Sequence, residues 1–221
     1  MNGRLGWALD LGQKVRARMP GQHRVRLSRY WEARAPELIR GYDDPGTWAE
    51  RRWIPAHVEN ELVPQLLLNA GVRSVVVVGC GSGREYRYLA PHGFELCGLD
   101  VSPTMVAACR ERFPHISTEL GSVVGAESRL KPVDAAVVSA VLAHVPPADI
   151  EAAAKSVTGL ARKLVVLHEK THFDEPSDYQ WAHDYDRLLR GWTCVHRQRT
   201  DGDATFTTEL MAWEATASSK R

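Results

Sequence analysis

Long apolar runs are missing from this sequence. No stretch of the 221 residues approaches the roughly 20 consecutive apolar residues that a membrane-crossing helix needs. The first residues also lack the continuous apolar centre of a secretory signal peptide. The sequence therefore predicts no transmembrane segment, and we expect a cytoplasmic protein.

Cysteine is scarce, and its spacing argues against two kinds of site. None of the four cysteines forms a CxxC or CxxH pair; they are Cys80, Cys97, Cys109 and Cys194. Neither a zinc site nor a disulfide framework is predicted from such spacing. His168 and His172 are four residues apart, but they follow a strand in a loop and do not share a helical face. We therefore predict no metal site.

A large charge of either sign is also absent. The chain has 28 basic and 27 acidic residues and a net charge of +1, so nothing attracts it generally to nucleic acid or membranes. Residues 1–27 are the exception, with six basic residues against one acidic residue. We interpret this segment as a basic N-terminal arm. A frayed, solvated terminus is favoured over weak contact with a membrane surface or an acidic partner.

Apolar residues recur at helical spacing from residue 28 to about residue 70, and short apolar strands alternate with helices from residue 71 onward. Strands are predicted near 74–78, 94–99, 116–120, 133–138 and 163–168. Helices are predicted near 84–90, 103–113, 148–161 and 178–190, and residues 193–216 predict an antiparallel hairpin. The pattern is typical of an α/β fold with a doubly wound, mostly parallel, Rossmann-like sheet. We expect one domain over 28–221, with a helical cap over 28–70 and a core over 71–221.

The stretch VVVVGCGSGREYRYL, Val75–Leu89, joins a buried strand to a helix through three glycines. Such a unit holds a nucleotide-like ligand at the helix N-terminus. Counting from Gly79, the third position of a dinucleotide fingerprint is Arg84 rather than glycine, and no Gly-Lys-Ser/Thr follows, so a P-loop fails as well. Asp100 ends the next predicted strand, 21 residues after Gly79, where a carboxylate can accept both hydroxyls of a ribose.

These motifs, with SPTM after Asp100 and VDAAVVSAVLAHVPP further on, resemble class I S-adenosylmethionine-dependent methyltransferases of the small-molecule type. The resemblance covers about residues 28–170 and implies S-adenosylmethionine as the cofactor. It implies that glycine backbone approaches the methionine part, that Asp100 holds the ribose, and that neighbouring residues flank the adenine and the sulfonium. The residues implied are Gly79, Gly81, Gly83, Asp100, Val101, Met105, Ser139 and Ala140.

One position departs from the family pattern. The third strand of such enzymes is often followed by Asp or Glu, which binds the adenine amino group, whereas Ser122 stands here. Either Ser122 and the backbone of Val123 make that contact, or the adenine pocket is looser than usual.

The helical cap supplies further candidates. Many small-molecule methyltransferases place such a cap over the cofactor, so Tyr30, Trp31 and Arg34 would reach the methionine carboxylate or seal the pocket. Burial of Trp31 against the sheet is an equally open alternative.

Methyl transfer is an in-line displacement that requires positioning and, for a protonated nucleophile, sometimes a base. The two candidate bases are His183 and His144, which follow the fifth and fourth predicted strands. His144 as a helix cap and His183 as a solvated or structural residue are the alternatives.

We favour a methyltransferase that acts on an oxygen or nitrogen of a small metabolite. An RNA or DNA methyltransferase is the first alternative; AHVPP lacks the Asn/Asp-Pro-Pro-aromatic signature that grips an extruded amine. A non-catalytic, cofactor-binding partner protein is the second, and the intact glycines and Asp100 argue against it. The sequence does not predict the acceptor or the oligomeric state.

Overall fold

The computed structural model describes residues 22–43, 58–173, 179–202 and 206–216. Residues 1–21 of the predicted basic arm and residues 44–57 of the predicted cap lie outside this part of the chain. The last six residues assigned to the arm belong to the first helix, which begins at Gln22.

The described residues form a seven-stranded sheet with the order β3-β2-β1-β4-β5-β7-β6. The strands are β1 (Ser74–Val78), β2 (Glu95–Asp100), β3 (Ser117–Leu120), β4 (Val133–Ser139), β5 (Ala161–Phe173), β6 (Trp192–Gly202) and β7 (Phe206–Ala215). The first five strands pair in parallel, and β7 lies antiparallel between β5 and β6. The predicted doubly wound, mostly parallel sheet with a closing antiparallel hairpin is confirmed.

Helices cover both faces of the sheet. They are α1 (Gln22–Asp43), α2 (Val63–Asn69), α3 (Arg84–Leu89), α4 (Pro103–Arg112), α5 (Ile150–Leu160) and α6 (Tyr185–Leu188). A π-helical turn, Val58–Leu62, precedes α2, and short 3-10 turns occupy Ala90–His92, Ala126–Ser128 and Leu142–His144.

The valines of β1 show how the two cores form. Val76 and Val78 pack into one cluster with α5, whereas Val75 and Val77 pack into the other with α2 and α3. All four are at most 1% exposed. Successive strand residues point to opposite faces, so a strand covered on both sides must be apolar throughout.

Helix α1 is held against the start of α4. Glu32 accepts hydrogen bonds from Ser102 Oγ at 2.6 Å, from Thr104 Oγ1 and from the Thr104 amide at 3.3 Å. Ser28 Oγ donates to the carbonyl oxygen of Val101 at 3.3 Å. These bonds place α1 across the carboxyl end of β2.

The prediction of a long helix over 178–190 is wrong, because only Tyr185–Leu188 are helical. Residues 179–183, here called the strap, instead bond to the loop that follows β4. The Trp181 amide donates to the carbonyl oxygen of Ala143 at 2.7 Å. Because the Trp181 amide bonds to a residue far away in the sequence, it is not available for a hydrogen bond within a helix.

No helix in the described ranges is both long and apolar enough to cross a membrane.

Candidate active site at the carboxyl edge of the sheet

A cavity of about 220 Å³ opens where β1, β2 and β4 end, with α1 above it. Its wall consists of the glycine loop after β1, the start of α4, the turn after β3 and the loop after β4. Most of the predicted site residues line it: Trp31, Gly79, Gly81, Asp100, Val101, Met105, Ser122, Val123, Ser139, Ala140 and His144. Four others do not: Tyr30, Arg34, Gly83 and His183.

The three glycines of the loop serve different purposes. Gly79, at φ +72°, lies against the loop after β4, where an added Cβ would overlap the side chain of Val141. Gly81, at φ +53°, faces open space, so its backbone is accessible to a ligand. At Gly83 an added Cβ would strike the ring of Phe113, and this glycine allows α3 to pack closely against α4 rather than approach the cavity.

Asp100 stands at the end of β2 with both carboxylate oxygens oriented by backbone. Oδ2 accepts from the Gly81 amide and Oδ1 from the Ser102 amide, each at 2.9 Å. Burial raises the pKa of Asp100, and the amides of Ser102 and Gly81 oppose that shift. Each of these oxygens accepts one of the two bonds, and a carboxylate oxygen can accept a further hydrogen bond from a ligand in the cavity.

The loop after β4 is anchored from below by Glu169 on β5. Oε1 accepts from the amides of Val141 and Leu142 at 2.8 Å each, and Oε2 accepts from the Ala143 amide at 3.2 Å. Glu169 is 0% exposed. Burial raises its pKa to about 7, although the three amides act in the opposite direction. Ala140, just before this anchor, has φ +53°, which is uncommon outside glycine.

His144 lies in the same loop and faces the cavity. Its Nδ1 atom is 2.6 Å from the carbonyl oxygen of Tyr179 in the strap. A carbonyl only accepts, so Nδ1 carries the proton and Nε2 keeps its lone pair. Burial, together with the charges of Lys170 and Arg34, lowers the pKa of His144 to about 4, although the hydrogen bond to Tyr179 acts in the opposite direction. The imidazole is therefore neutral at pH 7, with its edge-on contact to Trp31 at 4.8 Å between ring centroids.

His183 does not fit the role of base that the sequence suggested. Its Nε2 atom lies 2.9 Å from the carbonyl oxygen of Val145, to which it donates. Burial lowers its pKa, opposed by the carbonyls of Val145 and Leu142. His183 thus ties the strap to the loop after β4 and does not line the cavity, so its role as a base stays a prediction that this position does not favour.

Two of the cap residues support the wall without lining it. Tyr30 stacks on Tyr179, with ring centroids 4.6 Å apart and planes 15° apart. Arg34 Nη1 donates to Tyr30 Oη at 3.0 Å, and its guanidinium carbon is 5.4 Å from the centre of that ring. The stack joins α1 to the strap, so among the three predicted cap residues only Trp31 reaches the cavity.

Comparison with known families adds a separate finding. The sequence profile of a family described as "Methyltransferase domain" matches residues 75–163, the segment from β1 to the start of β5. This part of the chain is a methyltransferase domain. For this segment the match confirms the predicted family and enzyme class. Two solved structures of similar fold contain bound SAM or SAH, in agreement with the predicted cofactor. Among curated proteins, none matches the chain in sequence.

Solved structures resemble this chain in fold. One is magnesium protoporphyrin IX methyltransferase from Synechocystis PCC 6803 with bound SAH, 15% identical, with a TM-score of 0.70 over 88% of this chain and 100% of that one. The same enzyme with bound SAM gives a TM-score of 0.67 at 16% identity, over 88% of this chain and 98% of that one. A third is a putative sarcosine dimethylglycine methyltransferase from Galdieria sulphuraria, 12% identical, with a TM-score of 0.60 over 71% of this chain and 85% of that one.

Arg84 and Glu169 are two further charged residues of this region, and neither was among the predicted site residues. Arg84 lines the cavity, and its Nη2 atom donates to Ser139 Oγ at 3.0 Å and to Glu85 Oε1 at 2.5 Å. The sequence marks Arg84 as unusual, because a charged residue stands where a dinucleotide fingerprint has its third glycine. The signal of Glu169 was a carboxylate directly after the apolar run LVVLH.

Proposed function

We propose that this chain transfers the methyl group of S-adenosylmethionine to an oxygen or nitrogen of a small molecule. The observation that carries the proposal is the pairing of Asp100 with the open backbone at Gly81, on one side of a single cavity. Bound S-adenosylmethionine would supply a methyl group that is already activated on a sulfonium.

The residues of the cavity suit the nucleoside part of this cofactor. Asp100 would accept hydrogen bonds from both ribose hydroxyls, since its oxygens are already fixed by backbone amides. Val101 and Met105 would flank the adenine on the side of α4. Ser122 and Val123, in the turn after β3, would contact its edge.

The methionine part would lie along the glycine loop. Gly79 and Gly81 would let it approach the backbone, while Ser139 and Ala140 would adjoin the sulfonium. We assign the methionine carboxylate to Arg84 rather than to Arg34. Arg84 lines the cavity, whereas Arg34 does not and is engaged by Tyr30.

His144 is our candidate for orienting the acceptor. A general base works best when its pKa is close to the operating pH, and the pKa of His144 is lowered to about 4. The imidazole is therefore better suited to accept a hydrogen bond through Nε2 than to remove a proton from a weakly acidic group. Placement of the acceptor in line with the methyl group would supply most of the rate.

A small acceptor is favoured because α1 covers the cavity and Trp31 contributes to its wall.

We propose that residues 28–221 form one domain, since α1 is hydrogen-bonded to the start of α4. Cys80, Cys97, Cys109 and Cys194 are all unpaired thiols, which suits the reducing conditions of a cytoplasm.

Calorimetric titration with S-adenosylmethionine and with S-adenosylhomocysteine tests the proposal. We expect both to bind to the purified chain, and we expect radiolabelled methyl transfer to at least one compound in a panel of phenols, amines and carboxylates. A parallel titration with RNA at several salt concentrations distinguishes the first alternative. Absence of cofactor binding would refute the proposal, and tight, salt-dependent RNA binding would redirect it to nucleic acid.

A further inference from the structure

We propose that Glu169 is a positioning residue, which holds residues 140–144 in the shape that binds the cofactor and presents His144. This inference rests on the proposed function, because the loop it positions forms the side of the cavity assigned to the sulfonium. Glu169 itself does not line the cavity. Its effect would be transmitted through the backbone of the loop.

The loop is held from two directions. Glu169 accepts the amides of Val141, Leu142 and Ala143 from within the sheet. The strap binds the outward-facing groups, through Trp181 to the carbonyl oxygen of Ala143 and through His183 to that of Val145. Glu169 thus accepts the backbone amides of this loop, and the strap donates to its carbonyl oxygens.

This anchoring accounts for the unusual backbone of Ala140. A left-handed conformation at a residue other than glycine is unfavourable and persists only where the surroundings impose it. The amide bonds to Glu169 begin at the very next residue. With Ala140 fixed, the chain turns from β4 into the cavity wall, and His144 reaches the carbonyl of Tyr179.

A carboxylate is the side chain that this arrangement requires. Three amide donors face two oxygens in a position with no access to solvent. The amide of a glutamine has one oxygen and one NH₂ group, so in either orientation it would place a donor against a donor. In one orientation the clash falls on Ala143, and in the other it falls on Val141 and Leu142.

The same geometry makes the anchor sensitive to pH. Because burial raises the pKa of Glu169 to about 7, lowering the pH through that value adds a proton to an oxygen that faces amide donors. Tyr185 of α6 also faces this carboxylate, and its own pKa is raised by burial and by the charge of Glu169. His144 stays neutral over the same range, since its pKa is about 4.

The variant Glu169→Gln tests the inference, with Asp134→Asn as its matched control. Asp134 also accepts a backbone amide, that of Arg73 at 2.9 Å, but at the opposite end of the sheet. Affinity for S-adenosylmethionine would be measured by calorimetry from pH 6 to pH 8.5. Nitrogen-15 spectra of the histidines would report whether His144 keeps its proton on Nδ1.

We expect Glu169→Gln to bind S-adenosylmethionine roughly tenfold or more weakly at pH 8. We also expect its affinity to lack the decline that the wild-type protein shows as the pH falls below about 7. The single Nδ1–H form of His144 should be replaced by a mixture. Asp134→Asn should keep both the wild-type affinity and its pH dependence.

The outcomes separate the two proposals. If the wild-type protein binds no S-adenosylmethionine, the proposed function fails. If the wild type binds and a folded Glu169→Gln protein binds equally well, the role of Glu169 is overturned. Should Glu169→Gln not fold, the wild-type profile decides: affinity that is constant from pH 6 to pH 8.5 overturns the inference, and a decline toward pH 6 supports it.

Discussion

Replacing Asp100 with alanine should have two separable effects, one on the cofactor and one on the fold. Each ribose hydroxyl that Asp100 would bind contributes about 1.5–3 kcal/mol as a hydrogen bond to a charged group. Loss of both amounts to about 3–6 kcal/mol, or roughly a 10²- to 10⁴-fold weaker Kd for S-adenosylmethionine.

The fold should lose stability because the amides of Gly81 and Ser102 lose their acceptor. Because water can enter the cavity and bond to these amides, we take a loss of about 1 kcal/mol in the free energy of unfolding for each amide. For a chain of this size the loss corresponds to a fall in Tm of roughly 4–8 °C. Scanning calorimetry gives this shift, and titration at a temperature well below Tm gives the affinity.

Two comparisons make the test specific. S-adenosylhomocysteine should lose affinity by the same factor as S-adenosylmethionine, because the two ligands share the ribose. Asp134→Ala should lower Tm without a change in affinity, since Asp134 accepts its backbone amide at the far end of the sheet. An Asp100→Ala protein that binds S-adenosylmethionine within threefold of wild type would refute the assignment of the ribose.

Three further outcomes are expected. Gly81→Val should abolish cofactor binding in calorimetry, whereas Gly71→Val, with a similar φ of +60° and open space, should cost only stability; equal affinities would contradict the glycine-loop argument. His144→Ala should lower methyl transfer roughly 10- to 100-fold with little change in S-adenosylmethionine affinity, while His183→Ala should mainly lower Tm; the reverse pattern would restore His183 as the base. Glu32→Gln should speed S-adenosylmethionine dissociation in stopped-flow fluorescence by loosening α1, and an unchanged rate would show that α1 does not retain the cofactor.

The expected effect of Glu32→Gln on S-adenosylmethionine dissociation depends on pH. Hydrogen bonds from Ser102 and Thr104 lower the pKa of Glu32 from its usual value of 4.5. The Glu32 carboxylate is therefore ionised and hydrogen-bonded above pH 4.5. Its contribution to holding α1 is lost only as the pH falls through the lowered pKa. Wild type and Glu32→Gln should thus differ at pH 7 and converge in acid.

The sheet was predictable because its signals are local. Four consecutive β-branched valines before a glycine turn are typical of a strand covered on both faces, and the predicted strand over 74–78 agrees with β1. Helix α4 likewise agrees with the helix predicted over 103–113, and its cap is local, because Ser102 Oγ accepts the Met105 amide at 3.2 Å. Neither inference needs information from elsewhere in the chain.

The acceptor side was not predictable, because its bonds join residues far apart in sequence. Nothing local to His183 indicates that Val145, 38 residues earlier, would take its Nε2 proton. The helix predicted over the strap is wrong for the same reason. Trp181 and Tyr179 bond instead to Ala143 and His144, which lie far earlier in the sequence. Gly83 was placed in the correct turn, but the ring of Phe113 that requires it lies 30 residues later, just after α4.

The strand order also bears on how such a chain can acquire new substrates. Asp100 and the glycine loop belong to β1 and β2, whereas His144, Glu169 and the strap are attached to β4 and β5. The boundary between β1 and β4 therefore separates the side proposed to hold the nucleoside from the side where the sulfonium and the acceptor would meet. Directed evolution confined to the strap and the outer turns of α1 can then explore new acceptors while Asp100 and the glycine loop stay unchanged.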